Sequence, residues 1–315
     1  MKYRVLISAP YLQPVIGTYR NVFEKHGIDV IVPKVKERLG EEELFPLVQD
    51  IDGVICGDDR FTESVLNSAK KLKIIVKWGT GIDSIDVEAA RRCGIHVCNT
   101  PGAFTDAAAD TVLGYMLMFA RQLPRMDQDI RSGKWEKRLC RSLKECVLGV
   151  VGVGNVGSAV IQRAVAFGMR VVGNDLVEIP SPFLNSTALD MLSLDDLLSS
   201  SDFVSLNCTL NPTSFHLINA DKLKLMKPTA YLINTARGPI VHEEALVRAL
   251  QNCQIAGAAM DVFEDEPLPA DSPLRVLDNC WLAPHNANSS PTAWNRVHEN
   301  SIRQLLEGLN SNGRP

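Results

Sequence analysis

Short runs of β-branched and aliphatic residues alternate along the chain with segments whose apolar positions recur at helical spacing. Tyr3–Ser8 reads as a strand, Tyr19–His26 as a helix closed by Gly27, Ile28–Pro33 as a strand, Glu41–Val48 as a helix and Gly53–Cys56 as a buried strand. Thr62–Ala69 then reads as a helix, Leu72–Lys77 as a strand, Asp86–Cys93 as a helix capped by Asp86, and Ile95–Cys98 as a strand. A long helix is expected from Thr105 to Arg131, apolar along Val112, Leu113, Tyr115, Met116, Met118 and Phe119. The alternation restarts at Cys146–Val151, with further strands at Arg170–Gly173, Phe203–Leu206, Ala230–Asn234, Ile255–Met260 and Trp281–Leu282. Helices fill the gaps, one opened by a capping-box pair of Ser193 and Asp196, and a last one follows Pro284. Strands separated by helices imply βαβ units, so the expectation is α/β with two doubly wound parallel sheets.

Composition narrows the class without naming a chemistry. At roughly 150 residues per domain, 315 residues suggest two domains. A 45% hydrophobic and 22% charged chain is ordinary for a globular protein able to bury a core. The net charge of −4 comes with no basic run, so neither nucleic acid nor an anionic membrane has an electrostatic footprint. Lys70-Lys71 and Arg91-Arg92 read as solvated helix surface. The opening Met1–Ile7 is too short for a signal peptide, and Thr111–Ala120 falls short of the ~20 apolar residues needed to cross a bilayer. Eight cysteines contain no C-x-x-C pair and none groups with histidines at metal-ligand spacing. The expectation is a cytoplasmic protein with reduced thiols and no metal.

The first chemical motif is Gly152-Val153-Gly154-Asn155-Val156-Gly157, which follows a strand directly and opens a helical run. Glycines also serve plain turns, but the strand–helix context gives each a task. Gly152 permits the tight turn, Gly154 lets a pyrophosphate approach the backbone, and Gly157 permits close helix–strand packing. The helix N-terminus then offers free N–H groups to the anion. The next strand ends in Asp175, whose carboxylate can accept the adenosine ribose hydroxyls and would repel the extra phosphate of NADP. NAD is the expected cofactor.

A second constellation lies downstream. Ala230–Gly238 is a buried strand ending in a polar cluster with Arg237; Asp261–Pro267 leaves the next strand with Glu266; Ala283-Pro284-His285 leaves the last. In an open parallel sheet, ligands bind at the carboxyl ends of the strands. Arg237 can hold a substrate carboxylate by a charge-assisted fork. His285 can give a proton to a carbonyl oxygen or take one from a hydroxyl. Glu266 would favour the imidazolium and orient the ring. A lone arginine is usually a solvated ion pair and a lone histidine a filler. The three together, past a nucleotide fingerprint, suit hydride transfer on a 2-oxo or 2-hydroxy acid.

These residues bring the chain close to a known family. Lys77–Asp86, Asn99–Gly102, Gly152–Gly157, Asn234–Gly238, Asp261–Pro267 and Pro284-His285, in this order, resemble the D-isomer-specific 2-hydroxyacid dehydrogenases. The similarity covers most of residues 50 to 290 and is nearest to the D-3-phosphoglycerate dehydrogenase branch, in a short form without a C-terminal regulatory domain. The resemblance implies that Arg237, Glu266 and His285 are catalytic. It implies that Lys77, Gly79, Thr80 and Gly81 form a substrate loop, with backbone N–H groups at the glycines binding the carboxylate. Thr111, Ser214, Thr235, Ala236 and Asp261 match cofactor contacts, beside Asn155 and Val156 of the glycine motif. It further implies a flavodoxin-like substrate domain over 1–101, an inserted Rossmann NAD-binding domain over 102–286, and a C-terminal helix over 287–315 returning to the first. Closure of a cleft between the domains would exclude water. Members are usually homodimers joined through their nucleotide domains, to which Thr111–Ala120 would contribute.

Departures bear on the substrate. Phosphoglycerate-type members usually carry an arginine where this chain has Gly57, followed by Asp58-Asp59 and then Arg60. Two carboxylates would repel a phosphate unless they point away; Lys77 or Arg60 could still meet one. A histidine frequent in the family is Asn207 here. The reading is an NAD-dependent oxidoreductase of small D-2-hydroxy acids, led by 3-phosphoglycerate/phosphohydroxypyruvate, with glyoxylate, hydroxypyruvate or another 2-oxo acid as alternatives. A different class is an NAD(H)-sensing corepressor that binds a protein; such relatives can keep the catalytic trio, and an extra partner-binding segment or long tail, not expected here, would mark one. Formate chemistry, for which the family typically uses a Gln-His pair, is disfavoured by Glu266.

Overall fold

In the computed structural model, which describes residues 3–310, the apolar runs assemble into two wholly parallel sheets belonging to two compact units. One unit holds the chain up to Ala103 and from Ser290 on; the other is Phe104–Ser289. The first sheet comprises β1 (Tyr3–Ile7), β2 (Ile28–Ile31), β3 (Gly53–Cys56), β4 (Ile74–Lys77) and β5 (His96–Cys98), in the order β2-β1-β3-β4-β5. This is the flavodoxin-like order. Every residue of β3 and β4 is buried, which is why they read as apolar runs, broken only by Lys77 at the end of β4, rather than as alternating ones. The Pro291–Asn310 helix buries Val297, Ile302, Leu305 and Leu309 and packs on β3 and β4.

The second unit has seven strands: β6 (Val147–Val151), β7 (Arg170–Asn174), β8 (Asp190–Met191), β9 (Phe203–Leu206), β10 (Tyr231–Asn234), β11 (Gly257–Met260) and β12 (Cys280–Leu282). Their order is β12-β11-β10-β9-β6-β7-β8. The chain winds one way from β6 through β7 and the other way from β9 through β12, so β6 and β9 flank the switch point where doubly wound sheets bind ligands. Because all pairings are parallel, all seven carboxyl ends lie along one edge.

Two expectations are corrected. The long helix over 105–131 is two helices, Thr105–Arg121 and Leu123–Arg131, separated by Gln122 in the left-handed region at φ 49°. Pro124 explains the break: it has no N–H to donate and its ring would clash with the carbonyl four residues earlier. The two-residue edge strand β8 is too short to leave a pattern in the sequence. Asp86 caps its helix as expected, accepting from Ala89 N. Among the described residues no helix is long and apolar enough to cross a membrane.

Candidate active site

The loop after β6 has the shape a pyrophosphate needs. Gly152 has φ 88°, and a Cβ there would lie 2.6 Å from the Cys208 backbone nitrogen. A Cβ on Gly157 would lie 1.9 Å from the Gly152 carbonyl oxygen, so the loop and the Asn155–Ala166 helix can touch only because both residues lack side chains. A Cβ on Gly154 would meet nothing within 4 Å, leaving open space in front of the helix N-terminus, where Asn155 and Val156 form the first turn. An anion fits there on the unsatisfied N–H groups.

Asp175, just past β7, accepts from Val153 N at 2.7 Å and Val177 N at 3.0 Å. Its carboxylate is thereby fixed beside the glycine loop and keeps lone pairs for ribose hydroxyls. Thr235 Oγ1, just past β10, is buried without a hydrogen-bond partner among the described residues; such an orphan needs an explanation, and a cofactor along this edge supplies one. The loop, Asp175 and Thr235 thus fit a dinucleotide.

Three further side chains arrive on β10, β11 and β12, adjacent strands of the same edge. Buried Asn234 shapes the first turn: its Oδ1 accepts from Ala236 N at 3.0 Å and its Nδ2 donates to the Arg237 carbonyl at 2.9 Å. Arg237 Nη1 in turn donates to the Ala236 carbonyl at 2.9 Å. At Gly238 a Cβ would fall 1.9 Å from the Phe263 carbonyl, so this turn rests directly on the backbone of the next loop. There Glu266 Oε1 accepts from Phe263 N at 3.0 Å, and Oε2 lies 3.0 Å from His285 Nδ1. A carboxylate only accepts, so the neutral ring carries its proton on Nδ1.

His285 has φ 50°, in the left-handed region that a non-glycine residue occupies at a cost. Asp261, at the end of β11, holds it there. His285 N donates to the Asp261 carbonyl at 2.7 Å, and the carboxylate accepts from Asn286 N and Ala287 N, both at 2.8 Å. Burial pushes the Asp261 carboxyl up, against the two amides and His285, which pull it down, while Glu266 adds to the rise. Asp261, expected as a cofactor contact, therefore has both oxygens occupied as the clamp of the His285 turn. Its place at a strand end was visible in the sequence; its pairing with amides 25 and 26 residues away was not.

The remaining expected contacts are placed as follows. Ser214 is buried, its hydroxyl donating to the Thr209 carbonyl at 2.6 Å and accepting from Asn211 N at 2.9 Å, so it braces the loop after β9. Thr111 Oγ1 donates to the Ala107 carbonyl within its own helix. Asn207 Nδ2 turns back onto Ser205.

Lys77, Gly79, Thr80 and Gly81 belong to the first unit, at and beyond the end of β4. Gly79 has φ 133°, and its carbonyl accepts from Thr100 N at 2.8 Å. Thr80 is tied to the same segment through Thr100 O at 3.2 Å and the Asn99 side chain at 2.5 Å. Between Lys77 and Gly79, Trp78 donates through Nε1 to His298 Nδ1 at 2.9 Å and packs against Tyr11 and Trp294. Lys77 is 5% exposed at its side chain, and its Nζ lies 3.1 Å from Asp58 Oδ1. Asp59 is buried: its carboxylate accepts from the Ser8 hydroxyl at 2.5 Å and Leu39 N at 2.6 Å, and burial pushes it up, while Lys77 pulls it down. Arg60 is exposed.

The doubly wound sheet with its glycine loop defines a dinucleotide-binding α/β protein. Comparison with known proteins then gives the family. Residues 113–287 match the family described as D-isomer specific 2-hydroxyacid dehydrogenase, NAD binding domain. The chain is 40% identical over 298 residues to a glyoxylate reductase of Thermofilum pendens, covering 90% of this chain and 86% of that protein. It is 37% identical over 312 residues to a D-3-phosphoglycerate dehydrogenase of Methanocaldococcus jannaschii, covering 97% of this chain and 58% of the relative. A D-lactate dehydrogenase from Aquifex aeolicus, solved with NAD and lactic acid, superposes with a TM-score of 0.87 at 27% identity, covering 96% of this chain and 94% of that one. The chain belongs to the D-isomer-specific 2-hydroxyacid dehydrogenases. It is an NAD-dependent oxidoreductase of that class.

Proposed function

We propose that the protein reduces a short, unphosphorylated 2-oxo acid, of the glyoxylate or hydroxypyruvate kind, to the D-2-hydroxy acid. The observation that carries the chemistry is the His285–Glu266 contact of 3.0 Å at the sheet edge that also bears the glycine loop. Bound NADH supplies the hydride that C2 of the substrate accepts. Arg237 holds the substrate carboxylate. His285, with Nδ1 committed to Glu266, gives the carbonyl oxygen a proton through Nε2, and Glu266 stabilises the imidazolium from which that proton comes. Gly152, Gly154, Gly157, Asn155 and Val156 hold the pyrophosphate, Asp175 the ribose; Thr111, Ser214, Thr235, Ala236 and Asp261 shape the rest of the cofactor's bed. The loop of Gly79, Thr80 and Gly81 offers backbone N–H groups to the substrate carboxylate.

The Lys77–Asp58 pair favours an unphosphorylated tail. A phosphate needs a cation, and the charge of Lys77 is already matched by Asp58. The 3-phosphoglycerate reading keeps the support of relatives bearing that name, so both belong in one experiment. NADH oxidation by purified protein is followed with glyoxylate, hydroxypyruvate, pyruvate and phosphohydroxypyruvate. The expected order places the unphosphorylated acids first. Preference for phosphohydroxypyruvate would reverse the substrate reading, and no turnover with any would favour an NAD(H)-sensing role. We further propose a homodimer joined through the nucleotide-binding unit.

A further inference from the structure

The three loops that carry Ser214, Arg237 and Glu266 are fastened together on a face the chemistry does not use. The loop after β9 is zipped to the turn after β10 by backbone bonds: His216 N to the Pro239 carbonyl at 2.8 Å, Ile218 N to the Ile240 carbonyl at 3.0 Å, and His242 N back to the Ile218 carbonyl at 3.0 Å. The segment that carries Glu266 is joined to both by side chains. Glu264 Oε1 accepts from Glu243 N at 3.0 Å and lies 2.9 Å from His216 Nε2. Glu243 returns the contact, its Oε2 accepting from Glu264 N at 3.2 Å. One carboxylate thus joins the β9 loop through His216, the start of the Glu243–Gln251 helix that follows the Arg237 turn, and the β11 loop two residues before Glu266. His242 completes the packing, its ring edge-on to His216 at 4.5 Å while its Nδ1 accepts from Ala245 N to cap that helix.

We propose that Glu264, held by His216 and Glu243, is a positioning residue for the hydride-transfer reaction, acting through Glu266 and Arg237. This rests on the roles assigned to those two residues above. The argument is geometric. His285 Nδ1 meets Glu266, and Glu266 hangs on a loop whose outer anchor is Glu264. A shift of an ångström in a group that orients the acid can cost about 100-fold in rate. The knot is well placed to matter for rate without mattering much for stability. His216 and Glu264 are 29% and 34% exposed at their side chains, and ion pairs that water reaches add little to folding.

The test compares His216→Leu, which removes the donor, with His216→Gln, which offers an amide N–H in its place, and adds Glu264→Ala. Each is measured for kcat, for KM of the 2-oxo acid, for NADH affinity by fluorescence and for thermal midpoint, beside Glu266→Gln as a control on the underlying reading. The expected result is a kcat about 10- to 100-fold lower in His216→Leu and Glu264→Ala, with NADH affinity and midpoint close to the parent and with activity largely restored in His216→Gln. Unchanged kcat, loss that merely tracks the fraction folded, or a glutamine as defective as the leucine would each overturn the proposal. If Glu266→Gln itself retains full activity, it is the assignment of Glu266 that fails; if Glu266→Gln is impaired while the other variants are not, only the positioning role fails.

Discussion

His285 sits in a backbone conformation that it does not prefer, with its amide, the two amides after it and its ring all held by acidic residues of one loop. Such an arrangement makes sense where a ring must be kept at one angle, and it separates chemistry from cofactor binding. His285→Ala should lower kcat by about 10²- to 10⁴-fold, the usual worth of a placed acid–base group, and leave NADH affinity unchanged in a fluorescence titration. Lost NADH affinity with turnover intact per bound cofactor would remove His285 from the acid's role. At Lys77 the issue is charge. Asp58→Asn keeps the size of the side chain and releases the lysine's charge, so kcat/KM for phosphohydroxypyruvate relative to glyoxylate should rise about tenfold, equivalent to roughly 1.4 kcal/mol. A ratio that does not move would mean that Lys77 does not read the substrate's tail.

The C-terminal helix, Pro291–Asn310, carries His298, which burial pushes below the ordinary value of 6.5. His298 Nδ1 accepts the Trp78 indole N–H, so the folded unit needs the ring neutral there. The unfolded chain takes up a proton as pH falls through 6.5 while the folded chain resists it. The stability His298 contributes is therefore present above 6.5 and lost as pH drops toward its folded value. His298→Gln can still accept from Trp78 and does not titrate. In urea unfolding between pH 8 and 5, the stability gap between parent and variant should change in the variant's favour as pH falls; parallel curves would show that His298 is not the titrating group. This element also marks what a sequence can reveal. Every strand but the two-residue β8, the glycine loop and the motifs carrying Arg237, Glu266 and His285 were legible because each depends on residue types at short spacing. The break at Gln122 was legible in principle through Pro124. The Trp78–His298 bond joins residues 220 positions apart, and the Asp58–Lys77 and His216–Glu264 pairs likewise exist only once strands distant in sequence lie side by side. Periodicity finds faces; it does not find which polar side chains meet across them.

For the whole molecule, the apolar surface argues for a second copy and changes where it would dock. The Thr111–Ala120 stretch, expected to contribute, buries Val112, Leu113, Tyr115, Met116, Phe119 and Ala120 in the core of its own unit. What remains exposed lies just beyond it: Leu123 and Ile130 on the next helix are about half exposed, and Trp135 and Leu139 in the segment that follows are 89% and 97% exposed. Large apolar side chains gathered in one short stretch are the usual mark of an interaction surface, and tryptophan is among the residues that dominate interface energy when buried. A net charge of only −4 over 315 residues offers little self-repulsion against association. Light scattering after size exclusion should therefore give about twice the chain mass of 34.6 kDa. Leu139→Glu combined with Trp135→Ser should return it to the monomer, since two self-complementary patches lose their apolar centre at once. A monomer at micromolar concentration in the parent protein would end the dimer reading. A dimer that survives both substitutions would keep the assembly and move its interface to another face of the nucleotide-binding unit.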